Sequence, residues 1–441
     1  MFGPLKLDKM HINIRIAHVM LSGANTYGQL GHGHTTDLIK PTEMRAIESI
    51  DFLTVKRITG GGGHTIILTN QGEIYSCGWN NKGQLGIGIS CSQLETFHVL
   101  KNSLNVNYVH VCCGWDFTLA ISDSKKLHAW GSNEFKQLGI INVMNSPVSV
   151  VVEGLKAKNI IDIAAGLRHG LALTDDSEIW SWGTGRHGEL GLTDADGNII
   201  KQSAFPQKVS ALENKKIKSI VCGANHSAAL TFDGVLYVWG RNNKGQLGKD
   251  PVTLPISVLP QSISFDNSKI IHIKSGWTHM ICITGGLDEL LKEINQTGNF
   301  ERKNGSGRPK TARIEQTIQD VEDRILSQED NPYSKEVYIW GRSDYGQLGQ
   351  DFKSISLYNY KKRKIFDHVD SIVIGAEHNL LIKDQKVWSW GWNEHGICGT
   401  GNEENVLNPQ IIESLSIYHP IILGVGDGSS FVLVTESEKL V

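Results

Sequence analysis

The chain has 441 residues, of which 40% are hydrophobic and 20% charged, with 47 glycines and a formal net charge of −3. This composition fits a folded protein rich in tight turns, and the near-neutral charge argues against nucleic acid as its main partner. Seven cysteines without a C-x-x-C pair read as reduced thiols, and no run of 18 apolar residues offers a membrane span. A cytoplasmic protein is expected, with the nucleus as a second compartment.

Residues 1–16 read as an N-terminal extension, in which Lys6, Asp8, Lys9 and Arg15 break up any signal-peptide core. A strand is expected over Ala17–Leu21. It leads into Ser22–Gly31, the first of seven copies of a phrase close to W-G-x-N-x-x-G-Q-L-G. The others stand at Cys77–Gly86, Trp130–Gly139, Trp182–Gly191, Trp239–Gly248, Trp340–Gly349 and Trp390–Gly399. Their closing glycines are 55, 53, 52, 57, 101 and 50 residues apart, so one period carries an insertion. A second phrase, G-x-x-H before an apolar run, occurs at Gly61–His64, Gly166–His169, Gly223–His226, Gly276–His279 and Gly375–His378, and in altered form at Gly114–Phe117 and Gly426–Ser429.

The unit beginning at Ile217 shows what one period encodes. Ile217–Val221 is a strand candidate, Gly223 turns, and His226–Thr231 is a second run. Phe232-Asp233-Gly234 makes a hairpin turn, Val235–Trp239 a third strand, and Ile256–Leu259 a fourth. Four short antiparallel strands at this period form a propeller blade, and the long amphipathic stretches of a helical repeat are missing. The chain enters on a W-G phrase without a preceding G-x-x-H. It leaves on a G-x-x-H-type strand, Phe431–Glu436, without a following W-G phrase. Each end lacks what the other has, and joining them in one blade removes two open sheet edges. The expectation is therefore an all-β, seven-bladed β-propeller, built from 17–284 and 334–441 and closed by both termini in one blade. Lys361–Lys364 after the sixth phrase reads as a solvated loop, with contact to an acidic partner as the alternative.

The insertion, 285–333, falls between two strands that other units join by a few residues, so it sits at a hairpin tip. Leu287–Ile294 and Ile314–Leu326 read as amphipathic helices around the basic, proline-broken Gly305–Arg313. The segment resembles part of the DNA-binding region and linker of mariner-type transposases, without a complete paired helix-turn-helix module. It is read as an exonised transposon remnant or a faulty gene model in preference to a working DNA-binding element.

His64, His169, His226, His279 and His378 come one per unit and are spread around a ring. They cannot converge on one zinc ion, which needs three or four ligands within about 2.3 Å. They read as structural residues hydrogen-bonded to neighbouring turns, and no metal or cofactor is expected. Gly60–Gly63 is not a phosphate loop, because no Lys-Ser or Lys-Thr follows it. The informative positions are the two between Gly and His, which should open onto one face. There stand Trp115, Asp116, Arg168, Asn225, Trp277, Glu377 and Asp427. Two tryptophans, an arginine and several acids suit a protein-binding surface, while packing of Trp115 and Trp277 against adjacent blades is the competing reading.

The two alternating phrases resemble the regulator of chromosome condensation repeat over about Ala17–Val434, apart from the insertion. Whole phrases, Arg57–His64 (RITGGGGH), Cys113–Thr118 (CGWDFT), Ser275–His279 (SGWTH) and Ser389–Gly396 (SWGWNEHG), resemble a branch of that family linked to protein secretion. The resemblance implies a guanine nucleotide exchange factor or regulator that binds a small GTPase, without bond chemistry of its own. It makes Asp116 and Glu377 the candidate exchange acids and Arg168, Asn225 and Asp427 further contacts. No counterpart of the protruding wedge that assists exchange in the founding member is identifiable. The alternative is an interaction scaffold for vesicle-tethering partners such as an exocyst component.

Overall fold

The computed structural model describes residues 17–44, 50–100, 106–263, 269–285, 336–350, 358–367 and 369–436. The extension 1–16 and residues 286–335, which hold both expected helices of the insertion, lie outside them. The paired strands His279–Gly285 and Glu336–Arg342 flank that insertion and match end to end, from His279↔Gly341 to Thr284↔Glu336.

Apolar runs of six to eight residues separated by glycine turns produce short strands throughout. In the unit used above these are Ile217–Cys222, His226–Thr231, Leu236–Arg241 and Ile256–Ile263, joined antiparallel in sequence order. The same order recurs over 108–151, 160–208, 269–367 and 371–411, giving five four-stranded sheets, and a sixth sheet has eight strands. Four of these eight are Val55–Gly60, His64–Thr69, Ile74–Trp79 and Gln93–Val99. The other four are Tyr418–Val425, Ser429–Glu436, Ala17–Gly23 and Leu38–Glu43. A single parallel pair, Val425↔Thr59, joins the two halves. Chain-end strands pair antiparallel from Ala17↔Thr435 to Gly23↔Ser429. Each unit's innermost strand touches that of the next, and Tyr418–Val425 returns to Val55–Gly60, so the contacts close into a cycle.

The core lies between units. Trp130, Trp182, Trp239, Trp340 and Trp390 are fully buried. Trp239, for example, packs with Leu171, Leu190, Ile220 and Ala229 from two successive units. Each indole N–H also donates to the backbone carbonyl of the eighth phrase residue in the preceding unit: Trp130 to Gln84 (3.0 Å), Trp182 to Gln137 (2.8 Å), Trp239 to Glu189 (2.9 Å), Trp340 to Gln246 (2.9 Å) and Trp390 to Gln347 (3.1 Å). Where the first phrase residue is not tryptophan, a smaller donor makes the same joint: Cys77 Sγ to Gln29 and Ser22 Oγ to Ile397, both 3.4 Å. The phrase asparagine folds the loop. Asn242 Oδ1 accepts from the Leu247 amide (2.9 Å) while its Nδ2 donates to the carbonyls of Lys249 and Leu254.

The basic run Lys361–Lys364 is part of a strand, not a loop. It belongs to Tyr358–Asp367, the outermost strand of its unit, paired with Glu336–Arg342. Lys364 bridges Glu336 (2.5 Å) and Asp367 (2.7 Å), and Arg363 donates to Gln350 (3.0 Å). A Lys-rich edge strand resists pairing with foreign strands, so the run is compatible with strand structure.

Replacing Trp239 with Phe removes one joint and some buried volume. The variant should lose about 1–3 kcal/mol in urea unfolding at pH 7. Phe232→Ala at an exposed hairpin turn should stay within about 0.5 kcal/mol of the native chain. Equal stability of Trp239→Phe and native chain would remove the joint from the account of the ring.

Candidate functional site

In a four-stranded antiparallel unit, the connections from first to second and from third to fourth strand emerge at the same end. The G-x-x-H and W-G loops therefore share one face. Backbone bonds tie them together in every unit. The carbonyl of the residue before the histidine position accepts from the third residue of the W-G phrase: Gly63 from Trp79 (2.7 Å), Asp116 from Ser132 (2.9 Å), Arg168 from Thr184 (2.9 Å), Asn225 from Arg241 (2.8 Å), Thr278 from Arg342 (3.0 Å), Glu377 from Trp392 (2.9 Å) and Gly428 from Ala24 (2.8 Å). Adjacent units are laced as well, with Gly62 N–H donating to Trp115 (2.9 Å) and Trp277 N–H donating to Ala376 (2.8 Å).

Trp115 and Trp277 belong to the second and fifth units along the chain, yet their ring centroids are 5.5 Å apart at an interplanar angle of 49°. They meet across the centre of the face, each partly exposed. Trp115 also lies over Gly62, where a Cβ would approach its ring to 2.7 Å. Asp427 joins them by accepting a hydrogen bond from Trp277, and burial pushes its carboxyl up to about 7. Three of the sequence-derived positions thus form one central cluster. Arg168 stands exposed beside them, its guanidinium 3.7 Å from the centre of the Phe135 ring. Asn225 is half-buried.

The two acids are held differently. Asp116 is 8% exposed and accepts from Gln137 Nε2 (3.1 Å). Glu377 is 5% exposed and accepts from Thr278 Oγ1 (2.6 Å) and Gln347 Nε2 (2.7 Å), with Arg342 at 3.6 Å. Burial raises the pKa of both above the usual carboxylate range. In each case the anchoring amide is the eighth residue of a W-G phrase. Glu189 occupies that position in another unit, accepts from the His187 amide (2.6 Å), and is pushed by burial up to about 7.

The five histidines are also internal. His64 bonds Thr118 (3.1 Å), His169 bonds Ser227 (3.0 Å), His226 bonds Ser275 (2.9 Å), His279 bonds Asn379 (2.9 Å) and His378 bonds Ser430 (3.1 Å), each reaching the following unit. The partners are strand side chains, not turns. No group of three His, Cys, Asp or Glu residues able to hold a metal is present among the described residues.

The sequence reading missed the variable W-G positions on this face. Tyr27 stacks on Trp79 at 5.3 Å, Tyr345 lies 6.5 Å from Trp392, and Arg342 sits over Tyr345 at 4.3 Å. Arg186 and Arg241 add to Arg168 a basic sector over two successive units, and Asp344 and Glu394 stand on the two units that follow. The signal was available in the third, fifth and sixth phrase positions, which differ between copies while their neighbours repeat.

A model described as RCC1-like domain matches residues 18–290, and one for the regulator of chromosome condensation (RCC1) repeat matches 384–433. Secretion-regulating guanine nucleotide exchange factor of Bos taurus is 32% identical over 437 residues, covering 93% of this chain and 82% of that protein. The Arabidopsis thaliana ultraviolet-B receptor UVR8 is 27% identical over 399 residues, 90% of this chain and 77% of that one. Among solved structures, Prp20p of Saccharomyces cerevisiae superimposes with a TM-score of 0.73 at 19% identity, covering 97% of this chain and 93% of that chain.

Burial depresses His64, His226 and His378 to about 3, and His169 and His279 to about 4. A base with a lowered pKa stays neutral in the fold while the unfolded chain takes up a proton. The stability it supports is therefore present above the unfolded value of 6.5 and is lost as pH falls from there towards 4. The buried acids act with the opposite sign, so the test is a difference. Between pH 7 and 5 the native chain should lose about 2 kcal/mol more unfolding free energy than His226→Asn, read from urea curves. Parallel pH profiles would refute the buried neutral imidazole.

Proposed function

Because the chain belongs to the regulator of chromosome condensation repeat family, we propose that it is a guanine nucleotide exchange factor or regulator that binds a small GTPase, linked to protein secretion. The observation that carries this reading is the match to a mammalian exchange factor across nearly the whole chain. Its architecture is read as a seven-bladed propeller, with 17–43 and 418–436 sharing the closing blade. The cyclic contact of seven innermost strands supports that count.

An exchange factor forms and breaks no covalent bond. It binds the nucleotide-free GTPase more tightly than the loaded one, and this difference displaces the nucleotide. The loop face suits such a partner, since partly exposed Trp, Tyr and Arg side chains on a rigid backbone are the residues that dominate protein interfaces. Trp115, Trp277 and Asp427 form its centre, and Arg168, Asn225, Trp79 and Trp392 extend it. Asp116 and Glu377 lie beneath this layer and would reach a partner only by leaving Gln137 and Gln347. That arrangement favours a second reading, a scaffold for vesicle-tethering partners such as an exocyst component, in which the acids keep a structural role. In either case the cytoplasm, with the nucleus as a second compartment, is the proposed location, consistent with seven free cysteines.

Affinity capture from cell extract, with EDTA and with or without added GTP, separates the two. The exchange reading expects a small GTPase retained only without nucleotide. With that GTPase purified, release of a fluorescent GDP analogue should slow at least tenfold for Trp115→Ala/Arg168→Ala. Tethering proteins retained irrespective of nucleotide, with no GTPase among them, would establish the scaffold and end the exchange reading.

A further inference from the structure

The seven innermost strands enclose an axial cavity of about 520 Å³, within the size range of ligand pockets. Trp115, Trp277 and Asp427 stand at its loop-face end, while Lys56 and His272, both exposed, stand nearer the other. Its walls are not uniformly apolar. Arg57 donates from Nη1 to His110 Nε2 (2.7 Å), which leaves the ring proton of neutral His110 on Nδ1. That Nδ1 is buried and has no hydrogen-bond partner among the described residues.

The one carboxylate nearby does not neutralise these cations. Asp162 accepts from the amides of Ile163 (2.9 Å) and Ile220 (3.1 Å), and the described residues place neither Arg57 nor Lys274 within 4.0 Å of it. Its closest charged-capable neighbour is His110 Nε2, at 3.9 Å. Lys274, on the innermost strand of another unit, is solvent-exposed and makes no hydrogen bond or ion pair among the described residues. Lys56 Nζ is turned to the Val109 carbonyl (2.9 Å). Three cations, Lys56, Arg57 and Lys274, line the cavity with two carboxylates, Asp162 beside them and Asp427 at the loop-face end, which leaves a positive excess. Lys56 and Lys274 are solvent-exposed and Arg57 is half-buried, so their donors are within reach of an occupant that supplies acceptor oxygens and negative charge.

We propose that this axial cavity is a binding site for a small phosphate-bearing anion, held between the Arg57 guanidinium and the Lys274 ammonium. The site opens behind the centre of the loop face and does not depend on the exchange-factor reading. Burial, with the Arg57, Lys274 and Lys56 charges, holds His110 down to about 3, so its ring stays neutral beside them. A dianion matches the charge excess better than a monocarboxylate, and Arg recognises phosphate oxygens through its planar fork of donors.

The full chain, dialysed free of phosphate, is titrated calorimetrically with inorganic phosphate, pyrophosphate and acetate at constant ionic strength. Saturable 1:1 binding of phosphate or pyrophosphate is expected, with a rise in Tm of about 3 °C at saturation and no matching effect of acetate. Arg57→Gln and Lys274→Gln should each weaken binding at least tenfold, and Lys216→Gln, at an exposed turn, should leave it unchanged. Without any anion, Lys274→Gln should melt within about 2 °C of the native chain, because the side chain it replaces is solvent-exposed. That measurement also shows that the variant folds. Absent saturable binding, equal binding in all variants, or an equal acetate effect would each overturn the proposal.

Discussion

The ring depends on a shared acceptor, the backbone carbonyl of the eighth residue in each W-G phrase. Four of these carbonyls take two donors from the following unit. Gln84 receives Trp130 and Thr118, Glu189 receives Trp239 and Ser227, Gln347 receives Trp390 and Asn379, and Gln29 receives Thr65 and Cys77. In three of them the second donor also contacts a histidine of the preceding unit, through His64–Thr118, His169–Ser227 and His279–Asn379. Histidine, hydroxyl or amide, carbonyl and indole thus form a buried chain in which each member satisfies the next. Removing one member leaves another buried polar group unpaired, which costs more than the net worth of a single bond. Closure follows from the same rule. The first phrase has no unit before it in sequence, and Ser22 finds its acceptor on Ile397, near the other end of the chain.

These joints decide which positions are free. Residues that make them recur, whereas the two positions between Gly and His and the third, fifth and sixth positions of the W-G phrase make no side-chain bond to the shared carbonyl and link units only in single cases, such as Thr278 to Glu377. Backbone bonds between the two loops set these variable side chains next to one another in all seven units. One end of the assembly therefore becomes a surface whose scaffold is uniform and whose chemistry differs by sector. The innermost strands are a second place with such freedom. Their axial side chains take no part in the indole and histidine joints, so Arg57, His110 and Asp162 can link successive units there through bonds of their own.

The strands and their closure were legible because one pattern is written seven times. Elements too short to identify singly, such as Ile217–Cys222, become identifiable when their flanking glycines and tryptophan recur in phase. The family was legible for the same reason, and the whole-chain match agrees with it. The site was less legible because burial there is set by partners far off in sequence. Nothing near Glu377 announces that Gln347, 30 residues away, will hold its carboxylate, or that Thr278, 99 residues away, will donate to it. Trp115 and Trp277 were read as separate positions because their meeting across the ring is a property of the closed circle. The strand Tyr358–Asp367 was hidden by its charge, since an outermost strand needs few apolar residues and Lys361–Lys364 has the composition of a loop. Arg57 escaped as part of a family phrase, although its position on an innermost strand is what points it to the axis.

The placement of the acids bears on how exchange would work. A carboxylate that draws a phosphate-binding lysine away from its nucleotide must be charged and able to move. Asp116 and Glu377 are not free to move, since glutamines pin them, and burial shifts both pKa values upward, away from the charged form. Releasing either exposes a buried amide and an unfilled space, so the partner would have to provide the replacement contacts. Arg168, Trp392 and the Trp115–Trp277 pair face no such barrier. If nucleotide release occurs on this face, its physical origin is then tight packing and hydrogen bonding to the empty form of the GTPase, with the acids serving chiefly to hold the loops that present those residues.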